Sequence, residues 1–493
     1  MRRAKSTSVE SADSSWSIGK VPPTPEDAFP IMLKYTSNRG VDVNCLNLRT
    51  NVVLAVLMLT CLFTAGHEMR NANSQYSVGV LQPFWNITRG GSGADEGWGV
   101  AVDDVGYVYF AGFDRVSEAT ADIFLRKLSP DGTELWNSSW GALFDDEAFV
   151  VTTQGEYVYV GGRTVKSFVL TSTNMTILKF HASNGSLVWN ETWDGGHGYD
   201  EVDGLVSDGK YLYVSGWTTG TSTYTDVAVL KYDVNGTLVW QRSWGTGGVD
   251  EANGQTGVDE NYIYVVGHYN ATPFGYGSLG GEAVLVAFNK TDGSYVWNAT
   301  WGGAGLDDAF GMTMDSSHIY SVGITNSFGG DRIFLLKYDK TGSLVWNATW
   351  GGSGYELARS VGVDANRTSI YVAGSTTSYG NGDYDVVLLR YDQNGNLTLS
   401  RTWGGAKLDR SHGIAVDDSF LYIVGDTWSF GNGSEDAFLL KVDVEGGNTI
   451  PEFGQPVWLA LLASTFVAFA VYPVLRKKFG DRRTRFAKSD SGY

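Results

Sequence analysis

Seven copies of one pattern of roughly fifty residues run through the middle of this chain, and that repetition constrains the fold more than any other feature. A Trp followed by Gly-rich sequence recurs at Trp140, Trp193, Trp244, Trp301, Trp350 and Trp403, with Arg89 in the same place in NITRGG, at spacings of 49–57 residues. Between these marks the order is constant: one or two acids, an apolar strand, a second strand, a variable loop, an alternating strand, a turn, and a Trp-bearing strand. The second strand carries the cleanest register. Tyr109, Tyr159, Tyr213, Tyr264, Tyr320, Tyr371 and Tyr422 each stand three residues before a glycine: Gly112, Gly162, Gly216, Gly267, Gly323, Gly374 and Gly425. Such a Gly permits backbone geometry that a side chain would forbid as the strand leaves the sheet.

The third strand ends at Asp131-Gly132, Asn184-Gly185, Asn235-Gly236, Asp292-Gly293, Thr341-Gly342 or Asn394-Gly395, dipeptides that supply positive φ to a hairpin. Four strands per repeat is the content of one propeller blade, so the expected fold is all-β, a seven-bladed β-propeller over residues 81–447. Closure is legible as well. The seventh unit ends near Gly447 without a Trp strand, and the missing strand appears at the other end of the body, where PFWNIT (83–88) matches LVWNAT (344–349). An N-terminal strand is therefore expected to complete the last blade. A straight solenoid would need distinct polar caps, and none is visible.

Outside the ring the chain divides into a polar extension (1–51), expected to be disordered, an apolar run (52–66), a linker (67–80), a second linker bearing PEFG (448–455), an apolar segment (456–475) and a basic tail (476–493). The run from Val52 to Gly66 is short for a bilayer span and reads as a signal-peptide core or a retained anchor. Val457 to Leu475 spans 19 residues and is long enough to cross as a transmembrane helix. Seven basic residues follow between Arg476 and Lys488, which assigns the tail to the cytoplasm and the propeller to the cell surface. The formal charge of −18 is unevenly held, the two ends being basic and the body carrying about −25. Nucleic acid is excluded as a partner for such a body, because phosphate binding needs a basic surface. The two cysteines, Cys45 and Cys61, precede the repeats, so no disulfide framework holds the ring.

Few residues suggest chemistry. The blade junctions carry Asp95, Glu96, Asp145, Asp146, Asp200, Glu201, Asp250, Glu251, Asp307, Asp308, Glu356 and Asp409. Ringed about one mouth they would hold Ca²⁺ or a cationic ligand; alternatively each caps backbone N–H groups of its Gly-rich turn, which better explains its recurrence in every blade. Repeat symmetry breaks most in the 268–282 loop, which holds Tyr269, Phe274 and Tyr276. Trp217, Tyr224 and Trp428, with Phe430, occupy related loops, and together they are candidates for a carbohydrate or protein ligand surface at the channel mouth. Ordinary loop packing is the competing reading for each. The six histidines are scattered without a metal-binding pair, and no catalytic constellation, cofactor or metal site is expected. Asn-x-Ser/Thr occurs thirteen times, and Asn86, Asn137, Asn190, Asn298 and Asn347 share one register in the outermost strand, where sugar would shield an exposed sheet edge.

The full unit, from WGGxG through AVD, YVxG and LLKYD to LVWNxTWGG, resembles the β-propeller repeats called SBBP repeats, over residues 84–446. Arg89, Ala287 (in place of the Lys or Arg of the other blades) and Leu399 (in place of the strand Trp) depart from it. The resemblance implies the fold and little about activity. Ile450 to Gly454, followed by an apolar helix and a basic cluster, resembles the PEF-type sorting signals of archaeal surface proteins; a plain transmembrane anchor is the alternative. The expected function is a non-enzymatic, membrane-anchored binding, adhesion or envelope-structural module. The enzyme alternatives are a quinoprotein-like dehydrogenase, because Asp339 to Trp346 (DKTGSLVW) resembles the repeats of pyrroloquinoline quinone propellers, and a polysaccharide-active enzyme, for which no unique acid pair stands out.

Overall fold

Each repeat folds into one antiparallel sheet because its apolar residues alternate in strands and its Asn-Gly-type turns reverse the chain. All six hairpin glycines of the third-to-fourth strand turn have positive φ, from 72° at Gly185 and Gly293 to 94° at Gly236. The computed structural model describes residues 78–444, except 118–119, 142–143, 168–171, 197, 220–223, 275–276, 367 and 433. Among the described residues every regular element is a strand. The first blade runs from the axis outward through Asp95–Val102, Val108–Ser117, Thr120–Leu128 and Glu134–Trp140. Six more sheets follow with the same order, making seven blades.

The last blade is closed as expected. Trp85–Arg89 pairs antiparallel with Asp436–Asp443, from Trp85 opposite Lys441 to Arg89 opposite Ala437. A feature absent from the sequence reading precedes this clasp: Gly79–Val80 adds a fifth strand, parallel, to the outer edge of the sixth blade at Arg401 and Thr402. Leu81 then enters the core beside Leu388 and Leu440. The fourth blade also departs from the plan, its innermost strand being broken into Val249–Glu251 and Gly257–Val258.

Seven apolar clusters hold the ring, each shared by two adjacent blades. The cluster that joins last to first contains Tyr422, Val424 and Leu439 with Val100, Phe110 and Phe124. A polar rivet supplements six of these clusters, Ala287 standing in its place in the fourth blade. The repeat Tyr, Lys and Trp lie opposite one another across three strands, as Tyr109, Lys127 and Trp136 do. The ammonium groups of Lys127, Lys179, Lys231 and Lys441 then donate to the carbonyls of Ala182, Val234, Lys290 and Pro130 in the next blade. Buried ammonium groups are costly unless bonded, so these contacts tie neighbouring blades as well as satisfying the charge.

The glycine that recurs at the end of the second strand is needed for space rather than for φ. A Cβ at Gly112 would sit 1.9 Å from the Glu96 carbonyl, and at Gly216 or Gly425 1.8 Å from the Glu201 or Arg410 carbonyl. No helix among the described residues is long and apolar enough to cross a membrane. The apolar segments 52–66 and 456–475, and the polar extension and basic tail, lie outside the described residues.

Candidate functional site

Close approach of that glycine to the innermost strand coincides with a bulge, and the bulge builds the site. In six blades the pairing of first and second strands shifts by one residue, between Gly97 and Gly99 in the first and between Ser411 and Gly413 in the last. A bulge leaves one residue unpaired and re-aims its side chain. The bulged residues are Trp98, Phe149, Asp203, Phe310, Arg359 and His412. Asn253 holds the same place in the broken strand of the fourth blade. One ring of the channel is thus written by seven positions of which only Phe recurs.

A second ring lies two residues closer to the Gly-rich turns. There the innermost strand pairs Glu96 with Phe113, Glu147 with Arg163, Glu201 with Trp217, Glu251 with His268, Asp308 with Ile324, Leu357 with Ser375 and Arg410 with Asp426. Acids dominate this mouth and most are matched. Arg163 bridges two blades, with its Nη2 at 2.5 Å from Glu147 and its Nη1 at 2.6 Å from Glu201. His268 sets Nδ1 at 3.1 Å from Asp308 and Nε2 at 3.7 Å from Glu251. Those carboxylates outweigh the cost of burial and lift the imidazole to about 9. Arg410 contacts Asp426 at 3.0 Å and Glu435 at 2.7 Å.

Electrostatics differ where the first and seventh blades meet. Burial, together with Asp426 and Glu435, raises Glu96 to about 7, although the Trp98 indole donates to it at 2.8 Å. His412 is 7% exposed, stacks on Trp98 with ring centroids 4.0 Å apart, and sets Nε2 at 2.5 Å from Asp426. Burial lowers it to about 4, so it is neutral at pH 7 and its Nδ1 has no partner. Donor atoms of Glu96, His412 and Asp426 lie within 4.8 Å of one another, a set that could hold a metal. Arg410 already supplies the counter-charge, so the network closes without an ion. Asp203 is raised well above the ordinary carboxyl range, first by burial and then by Glu201 and Glu251, and its Oδ2 is unpartnered.

The structure divides the sequence candidates. The first acid of six junctions caps its own turn: the amide N–H of Gly91, Gly195, Thr246, Gly303, Gly352 and Gly405 donates to Asp95, Asp200, Asp250, Asp307, Glu356 and Asp409. Trp217 stands in the mouth ring. Tyr269 instead stacks on Trp244 at 6.0 Å, as Phe328, Tyr379 and Phe430 pack on Trp301, Trp350 and Trp403, so loop packing accounts for it. Trp428 is 42% exposed. Tyr224 is half-buried at the entry to Thr225–Asp233. Tyr276 lies outside the described residues, as does the side chain of Phe274. Asn86, Asn137, Asn190 and Asn347 are exposed on outermost strands; Asn298 is half-buried and accepts from the Tyr295 hydroxyl at 2.7 Å. Sequence reasoning missed the bulge ring. Its signal was present three residues after each first acid, where the residue changes from blade to blade while its neighbours repeat.

A family described as outer membrane protein assembly factor BamB matches residues 225–449, a little under half of the chain. No curated protein matches the sequence. Among solved structures the chain is similar to the WD40 β-propeller domain of Doa1, at 14% identity over 73% of this chain and 96% of that one, with a TM-score of 0.44. It is also similar to a chain of the mitotic checkpoint complex, at 12% identity, 75% and 97% coverage and a TM-score of 0.47. The WD40 domain of Neurospora crassa Pan2 gives 12% identity, 72% and 90% coverage and a TM-score of 0.45.

Proposed function

We propose that this protein is a non-enzymatic surface module that presents its propeller outside the cell on a C-terminal membrane anchor and binds a carbohydrate or protein ligand at the channel mouth. The observation that carries the reading is where symmetry fails. Capping acids, rivets, hairpins and cores repeat around the ring, whereas the bulge ring and its neighbours differ from blade to blade, as a recognition surface requires. The match to an assembly factor over residues 225–449 supports a binding scaffold.

Export follows from the apolar segments 52–66 and 456–475 and from the basic tail. The repeat resembles the SBBP type, and the Pro451-Glu452-Phe453 motif resembles a PEF-type sorting signal, processing at which is the alternative to a retained anchor. Protease accessibility on intact cells tests the orientation, and mass spectrometry of the mature C-terminus tests the processing. Glycan and peptide arrays, run beside turnover assays on the same glycans, test binding without reaction. A quinone absorbance co-purifying with the chain, or restored by quinone and Ca²⁺, would instead establish the dehydrogenase reading.

A further inference from the structure

Among the described residues the Arg359 guanidinium is the one channel arginine without an acid. Arg163 and Arg410, which line the same channel, each hold two carboxylates. Arg359 makes no hydrogen bond or ion pair with any described residue. Its Cζ lies 5.3 Å from the Trp98 ring centroid and 5.2 Å from that of Phe310, so aromatic rings flank the guanidinium. Stacking on rings leaves the N–H edges of a guanidinium free for in-plane acceptors. Burial lowers its affinity for its proton, and Arg410 adds to that effect. Arg359 is half-buried in the channel, and no protein carboxylate is matched to its charge. Three blades away, on the far wall of a seven-bladed ring, the Oδ2 of Asp203 is buried and unpartnered. Arg359 acts on the Asp203 carboxyl at a distance, yet the two form no ion pair.

Resting on the proposal that the channel mouth binds a ligand, we infer that the bulge ring is a subsite for an acidic sugar of the uronic acid class. Its carboxylate would take the in-plane N–H groups of Arg359, a bidentate match of planar forks. The apolar face of the pyranose would lie on Trp98 or Phe310. A ring hydroxyl would donate to the Oδ2 of Asp203, which has no protein partner.

Isothermal titration of the full chain with D-glucuronate, D-glucose and acetate tests this, alongside Arg359→Met and Asp203→Asn. Glucuronate is expected to bind at least about tenfold more tightly than glucose or acetate, since charge and hydroxyl contacts both contribute. Arg359→Met abolishes glucuronate binding, and Asp203→Asn weakens it. The thermal midpoint of the ligand-free Arg359→Met variant is unchanged or higher, because an unpaired charge is replaced by an apolar isostere. A fall in that midpoint of the size expected for a core truncation would make Arg359 structural and overturn the inference. So would acetate binding equal to glucuronate, or tighter binding of triglycine through its free C-terminus. An array ligand that binds wild type and Arg359→Met equally would overturn this subsite while leaving the channel-mouth binding function standing; failure of every array ligand would remove that function itself.

Discussion

The Lys441 ammonium, in the last strand of the ring, donates to the Pro130 carbonyl of the first blade at 2.7 Å, and the indole of Trp85 points to the same oxygen at 3.4 Å. Trp85 belongs to the clasp, and its ring packs over Gly132, where a Cβ would lie 3.1 Å away. Closure therefore reuses the contact made at the other junctions, where Trp136, Trp189 and Trp240 meet Gly185, Gly236 and Gly293.

Trp85→Ala should destabilise the propeller by about 2–4 kcal/mol, the range for truncating a packed aromatic. Trp240→Ala should cost a similar amount, because the clasp junction is built like an internal one. Urea unfolding of both variants checks this; a silent Trp85→Ala would mean that the ring holds without its clasp.

Opposite pH limbs are expected from two buried histidines. His412 has a folded pKa of about 4, below its unfolded value, so its contribution is complete above pH 6.5 and is lost as pH falls toward 4. A shift of that size corresponds to roughly 3 kcal/mol. His268, 3% exposed, has a folded pKa of about 9, so its contribution is complete below pH 6.5 and is lost as pH rises through 9. Stability measured against pH should lose its acid limb in His412→Gln and its alkaline limb in His268→Gln.

Ala287 occupies the place of the rivet lysine, opposite Tyr264 and Trp297. Lys340, in the turn of the following blade, sets Nζ 5.0 Å above the Tyr264 ring. Restoring the repeat with Ala287→Lys should destabilise, by crowding two ammonium groups, and Lys340→Ala should relieve it. A double-mutant cycle by denaturant unfolding should give a favourable coupling of about 1 kcal/mol or more.

Outermost strands expose an apolar residue two positions before each sequon Asn, on the same face: Leu135 before Asn137, Val188 before Asn190 and Val345 before Asn347. The sixth blade has Ser400 at that position, and there the fifth strand Gly79–Val80 covers the edge. Expressed in a glycosylating host, Asn137→Gln, Asn190→Gln and Asn347→Gln should each increase gel mobility by one glycan. Asn174→Gln should not, since Asn174 is 3% exposed within a third strand.

Blade number, strand order and the clasp were all readable in the sequence because they rest on residues that recur: the Tyr-x-x-Gly register, the positive-φ hairpin glycines and the Trp strand. Gly79–Val80 was not, since two residues carry no period. The site was harder for a related reason. Acids repeated at the junctions drew attention, yet six of them cap their own turns, which is why they repeat. The contrast between blades sat at Trp98, Asp203, Arg359 and His412, which look unremarkable singly and become one ring only when a bulge turns each toward the axis. Pairings such as Arg163 with Glu201, between blades, have no sequence signature at all.

Because a bulged residue lies outside the ladder of hydrogen bonds, its side chain is chosen without reference to the sheet that carries it. Each blade contributes one such outlier, so the axial lining is a seven-letter word spelled independently of the grammar around it. Swapping one letter changes the lining of the axis while the spokes around it stay as they are.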